Sequence, residues 1–326
     1  ILDSLRGFAI LGILLMNIPA FGLANNGDDP SILNEFGTIN FTVWYFVDWF
    51  PSGTQRALFS MLFGAGIILF IKGKEKRLND LLPADYFFRR QLWLMVFSLF
   101  DVFILLWFGD ILLDYAILGM VMFAFRNLSP KRLLVGAGFC LLFGLARENA
   151  DLYQNKKMIY KGEIAAAIDT GKVKLNAIQK DELRAMLDFK ERSEHESKVR
   201  RMEKTIQKTT GSYEQLYKYR TDIYVNTLVR YLFFGVWDVL LFMFLGMAFF
   251  KLGILTGQAP VKTYWLMCIA GLGVGLTLSY WRLQPMIDAR FNWFEYAKKS
   301  TFHFYELSRL LRSIGILGLI MLLYKS

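Results

Sequence analysis

Leu5-Arg6-Gly7-Phe8-Ala9-Ile10-Leu11-Gly12-Ile13-Leu14-Leu15-Met16-Asn17-Ile18-Pro19-Ala20-Phe21-Gly22-Leu23-Ala24 carries a single charge, at Arg6, and its length decides the fold. A helix rises about 1.5 Å per residue and the hydrocarbon core of a bilayer is about 30 Å thick, so about 20 apolar residues cross it. Residues 54–72, 88–108, 110–126, 131–147, 231–251, 261–281 and 301–324 are runs of the same kind. The sequence therefore predicts an all-α, polytopic transmembrane bundle of about eight spans. Composition agrees: 55% of the 326 residues are hydrophobic, 16% are aromatic and 30 are Phe, more than one soluble core needs. The chain begins at Ile1 inside the first span, so trimming of N-terminal residues is expected. Asp3 and Arg6, with no small-residue cleavage site after them, exclude a cleavable signal peptide.

Charge orients the spans. Lys72, Lys74, Lys76, Arg77, Arg89 and Arg90 cluster in one connection, and 126–132 and 251–262 are basic as well, whereas 25–53 has no Lys or Arg and holds Asp28, Asp29, Glu35 and Asp48. By the positive-inside rule the N-terminus is cytoplasmic. The 282–300 loop, expected outside, runs against that rule with Arg282, Arg290, Lys298 and Lys299. Three regions follow: an N-terminal membrane bundle of about five spans (1–147), a charged, mostly helical extramembrane insertion (148–230), and C-terminal membrane helices of about three spans (231–326). The net charge of +10 flanks the apolar runs, which argues against a nucleic-acid partner and for membrane lipids. Cys140 and Cys268 lie in separate apolar runs without CxxC or His partners, so no disulfide framework and no metal site is indicated.

Ionisable groups inside a bilayer cost about 3 kcal/mol each, so those present need a reason. Asp101, Asp114 and Asp238, with Asn17, fall on the outer side of the midplane, and Arg56, Arg230 and Arg282 stand at their level as counter-charges. Together they predict a polar pocket opening outward. The plainer alternative is interhelical pairing, worth about 0.6 kcal/mol each. Arg6 at the cytoplasmic edge suits phosphates of a ligand or of lipid. Ser60 and Gly64, four apart, suit close helix packing rather than a phosphate loop. His303, Glu306 and Arg309 share a helix face, and a His beside a Glu suits proton transfer or a plain interfacial pairing. Nothing matches a nucleophile elbow, HExxH, Walker A or Rossmann fingerprint, which removes most familiar enzyme classes.

Leu2-Asp3-Ser4-Leu5-Arg6-Gly7-Phe8-Ala9-Ile10-Leu11-Gly12-Ile13, then Leu58-Phe59-Ser60-Met61-Leu62-Phe63-Gly64-Ala65-Gly66, then Gly109-Asp110-Ile111-Leu112 with Tyr115-Ala116, resemble the YeiB-like proteins of the bacterial inner membrane. The C-terminal half, from near Leu245-Gly246-Met247, resembles their domain of unknown function 418. The resemblance implies further helices beyond the C-terminus. More distantly the chain is similar to transmembrane acyltransferases that use cytoplasmic acyl-CoA to modify an acceptor on the far side. One branch of those carries Arg, ten residues, then His in its first helix; here Asn17 stands in the His position, and 25–53 has no His.

The resemblance implies acyl-CoA as a co-substrate, none bound covalently, with Arg6 and 72–90 on its phosphates. Asn17 would polarise the acyl carbonyl, and Asp48, Asp101 or His303 would take the proton of an extracytoplasmic small molecule or glycan. Arg56, Asp114 and Asp238 would line the acceptor pocket. Two rival readings stay open: a small-molecule transporter or exporter using the intramembrane carboxylates, and a non-catalytic scaffold or sensor. A homo-oligomer is compatible with each.

Overall fold

A computed structural model describes residues 1–23, 27–75, 82–107, 109–168 and 174–325, apart from the side chains of 74, 75 and 228–234. The membrane part is built on α3 (Thr54–Glu75), α6 (Pro130–Ala166) and α10 (Val236–Lys251). Every residue of α10 from Leu241 to Phe249 is buried, so this helix is apolar all round and forms the centre. Close approach makes that burial possible: a Cβ at Gly246 would collide with the Met61 carbonyl, and one at Gly64 with the Met243 carbonyl. Of the two small residues four apart in α3, Gly64 is thus a packing residue, whereas the buried Ser60 hydroxyl bonds the Arg56 carbonyl and the Tyr115 hydroxyl.

Around this centre lie α1 (Leu2–Gly22) and α2 (Ile39–Trp49), whose first turn is capped by the Thr38 hydroxyl. Next come α4 (Pro83–Phe100), which widens into a π-helical turn over Asp101–Leu105, and α5 (Leu112–Phe123). Pro83 and Pro130 open α4 and α6, where a missing N–H costs nothing.

The remaining elements are α7 (Ala177–Ser193), α8 (His195–Thr209), α9 (Tyr213–Phe234), α11 (Val261–Asp288), α12 (Trp293–Lys299) and α13 (Tyr305–Lys325). The tight α11–α13 pair depends on Gly271, Gly275, Gly315 and Gly318, each set against the partner's backbone. Helix α6 passes residue 147 without a break; its second half carries a small separate core of Leu152, Ile159, Met186, Phe294 and Ala297 with α7 and α12.

Among the described residues, five stretches are long and apolar enough to cross a membrane: Leu2–Gly22, Ile39–Gly73 (α2 and α3 in succession), Pro130–Ala166, Val261–Asp288 and Tyr305–Lys325. The expected runs at 88–108, 110–126 and 231–251, of which residue 108 lies outside the described residues, also fall mainly on helices. Of these, α5 has 12 residues and α10 has 16, about 18 and 24 Å of rise, short of a full crossing. The outward faces are apolar: Ile10, Leu14 and Ile18 on α1, Leu92, Trp93 and Val96 on α4, and Trp265, Leu266 and Ile269 on α11 are all exposed. Apolar surface on that scale needs lipid against it, and the chain is a multi-pass membrane protein.

Candidate functional site

The three-residue step of Glu306, Arg309 and Arg312 on α13 stacks charge inside the bundle at the end that carries α7 and α8. Arg309 donates to Asp238 at 3.0 Å and to Glu306 at 2.6 Å, and Arg56 reaches the same Asp238 at 3.1 Å. Arg282 pairs with Asp48. Both Arg282 and Arg309 lie over the Tyr305 ring, at 5.3 and 5.2 Å, so one aromatic face joins the two ion-pair groups. One turn further along, fully buried Arg312 donates to the carbonyls of Asp48, Trp49 and Phe50, the free C-terminal acceptors of α2. Its Nε and one terminal nitrogen have no partner among the described residues.

Of the residues expected in one pocket, the structure brings Asp48, Arg56, Asp238 and Arg282 together, and it adds Glu306, Arg309 and Arg312. Asp101 and Asp114 belong to a second group at the α4–α5 turn. There Asp110 accepts from the Ser98 hydroxyl and from the Leu112 amide at 3.1 Å, and Asp101 is near enough to Asp110 for their charges to repel. Asp114 and Asp110 both act on Tyr224 of α9. Asn17 is half-buried on α1 and forms no hydrogen bond with a described residue. The side chains of Lys74, Lys76, Arg77 and Arg230, expected to hold phosphate or balance carboxylates, lie outside the described residues.

Arg6 and Arg90 meet at the opposite end of the bundle. They flank a cavity of about 330 Å³ floored by Phe59, Leu62, Phe63, Leu69 and Phe70. The two guanidinium groups are close enough to repel, and Arg90 sits over the Phe63 and Phe70 rings at 5.6 and 5.7 Å. Asp3 pairs with Arg6 at 2.6 Å, and no described carboxylate forms an ion pair with Arg90 at the cavity rim. Paired cations over an apolar floor fit an anion that carries a hydrocarbon or aromatic part.

Three features were missed in the sequence. Arg312 is the first; in sequence it is one more charge in a terminal helix, and only the fold brings three carbonyls to it. The second is a buried pair that ties the 27–38 loop to α8: Lys198, 4% exposed, donates to Asp29 at 2.8 Å and to the Phe291 carbonyl at 2.5 Å. The third surrounds His303. Asn149 clamps its backbone in both directions, at 2.8 and 3.2 Å, and Glu148 accepts the first amides of α13 from Tyr305 and Glu306 at 3.0 and 3.2 Å. Burial holds His303 below the ordinary imidazole value, and the charge of Arg282 adds to that.

Among curated proteins the chain is 34% identical over 151 residues to the uncharacterized protein YxaH of Bacillus subtilis, covering 44% of this chain and 37% of that protein. It is 34% identical over 159 residues to the uncharacterized protein YeiB of Escherichia coli, covering 45% and 39%. An uncharacterized 39.9 kDa protein encoded in the amylase 3′ region of Bacillus acidopullulyticus is 33% identical over 144 residues, 44% of this chain and 38% of its own length. The match spans about two fifths of each of these relatives. No family model and no solved structure matches the chain. Identity of a third, sustained over about 150 residues, makes this multi-pass membrane chain similar to YxaH and YeiB across that stretch.

Proposed function

We propose that the protein transfers an acyl group across the bacterial inner membrane, from acyl-CoA on the cytoplasmic side to a hydroxyl acceptor outside. The observation that carries this reading is the Arg6–Arg90 cavity, where two guanidinium groups stand over an apolar floor. A nucleotide-bearing thioester is such an amphipathic anion. In this reading the N-terminus is cytoplasmic, and α7, α8, α12 and His303 face out. The buried Asp238–Arg309–Glu306 and Asp48–Arg282 groups fix α2, α3, α10, α11 and α13 relative to one another between the two sides.

Acetyl-CoA binding to purified protein in nanodiscs should weaken about tenfold or more in Arg6→Ala and Arg90→Ala, the loss of one charge-assisted contact each. Labelled acetyl should then appear on an added glycan. Absence of any CoA binding would sink the proposal. Orientation is read with Lys190→Cys on exposed α7, since both native cysteines are buried. A membrane-impermeant thiol reagent should label it from the periplasmic side only.

The grouping of Asp101, Asp110 and Asp114 favours a second reading, cation-coupled transport. Counterflow in proteoliposomes that is abolished by Asp101→Asn would support transport over transfer.

A further inference from the structure

Between the second half of α6, α12 and the segment before α13 lies a cavity of about 320 Å³. Arg147, Asp151 and Asn155 line one wall, spaced four apart and so on one face of α6. Trp293 and Tyr296 form the opposite corner, their rings 5.6 Å apart and nearly perpendicular at 87°. His303 closes the cavity, its ring stacked on Tyr296 at 5.5 Å.

Two buried polar atoms in this wall have no partner among the described residues: His303 Nε2 and Arg147 Nε. Burial favours the neutral ring, whose unpartnered Nε2 is free to exchange a hydrogen bond with a ligand. Arg147 Nε is a donor. An orphaned ring nitrogen and an orphaned donor beside an aromatic corner ask for a ligand with both hydroxyl groups and an apolar ring face. The charges discriminate further, since Asp151 balances the Arg147 guanidinium in this wall and leaves no net positive charge to hold an anion.

We infer that this cavity is a sugar-binding site. A neutral or amino sugar stacks its ring on Trp293 and Tyr296, pairs a hydroxyl with His303 Nε2, and exchanges further hydrogen bonds with Arg147, Asp151 and Asn155. Its role as the acceptor site rests on the transfer reading; the binding itself does not.

The test is calorimetric titration of protein in nanodiscs, which avoids glycosidic detergents, with methyl β-glucoside, methyl β-N-acetylglucosaminide and glucuronate, and no acyl donor present. The two uncharged glycosides should bind at millimolar or tighter concentration and glucuronate should not. Trp293→Ala and His303→Ala should each weaken binding about tenfold or more, the scale of losing a stacked ring or a buried hydrogen bond. Asp151→Asn, at an exposed position that no fold contact depends on, should weaken it as well, whereas Trp281→Ala, outside the cavity, should not. No binding of either glycoside, or unchanged affinity in Trp293→Ala with an unaltered melting temperature, overturns the inference. Sugar binding that survives loss of the Arg6–Arg90 cavity, or the reverse, separates this inference from acyl transfer.

Discussion

Asp238 answers to two guanidinium groups, and one of them, on Arg309, is only 5% exposed. Removing the carboxylate leaves that cation in low dielectric with Glu306 as its remaining partner. Breaking a buried pair in this way costs about 3–5 kcal/mol, against less than about 1 kcal/mol for an exposed pair. Asp238→Asn should therefore lower the melting temperature sharply in scanning calorimetry, while Lys298→Ala, which breaks the exposed pair with Glu163, should leave it nearly unchanged. Titration offers an independent check at the same scale. The pKa of His303 lies below its unfolded value near 6.5, chiefly through burial. As pH falls through that value the unfolded chain takes up the proton first, so stability is full above it and declines toward the lower, folded pKa. His303→Gln should flatten that part of the stability-versus-pH curve, and an identical slope in both proteins would refute the assignment.

Between elements, backbone contact decides. Gly246 and Gly64 let α10 and α3 touch with no side chain between them, so Gly246→Leu must push the central helix away. Overpacking usually costs about 1–3 kcal/mol, and a clash with backbone, which cannot rotate aside, belongs at or above the upper end. Folded yield of Gly246→Leu should collapse. Gly138→Ala on α6 meets nothing within 4 Å and should melt no lower than wild type, since Ala favours helix over Gly by about 1 kcal/mol. The sequence shows part of this: the four-residue spacing of Ser60 and Gly64 marks a packing face, but not which helix presses on it. Nor does the Lys198–Asp29 pair show, because 169 residues separate its members. A neutral substitution, Lys198→Met, should free the 27–38 loop, read as faster amide exchange there.

At the scale of the whole molecule, apolar run length was enough to place helices and to class the chain as a membrane protein. The polar interior was only half legible. Depth along each span located Arg56, Asp238 and Arg282, which do meet, but depth alone also admitted Asn17, Asp101 and Asp114. Azimuth separates them, and azimuth depends on which helices are neighbours, information that no single run contains. The 37 residues of α6 make the same point in reverse, since one unbroken helix belongs to both the apolar core and the cavity wall. At 1.5 Å per residue it is a strut of about 55 Å without a hinge. A strut fixes rotation as well as height. One residue inserted between 141 and 146 would turn the far half by about 100°, swinging Arg147, Asp151 and Asn155 off Trp293 while lengthening the rod by only about 1.5 Å. The sugar site is thus indexed to the bilayer like a cam on a shaft, and its alignment is set by a residue count.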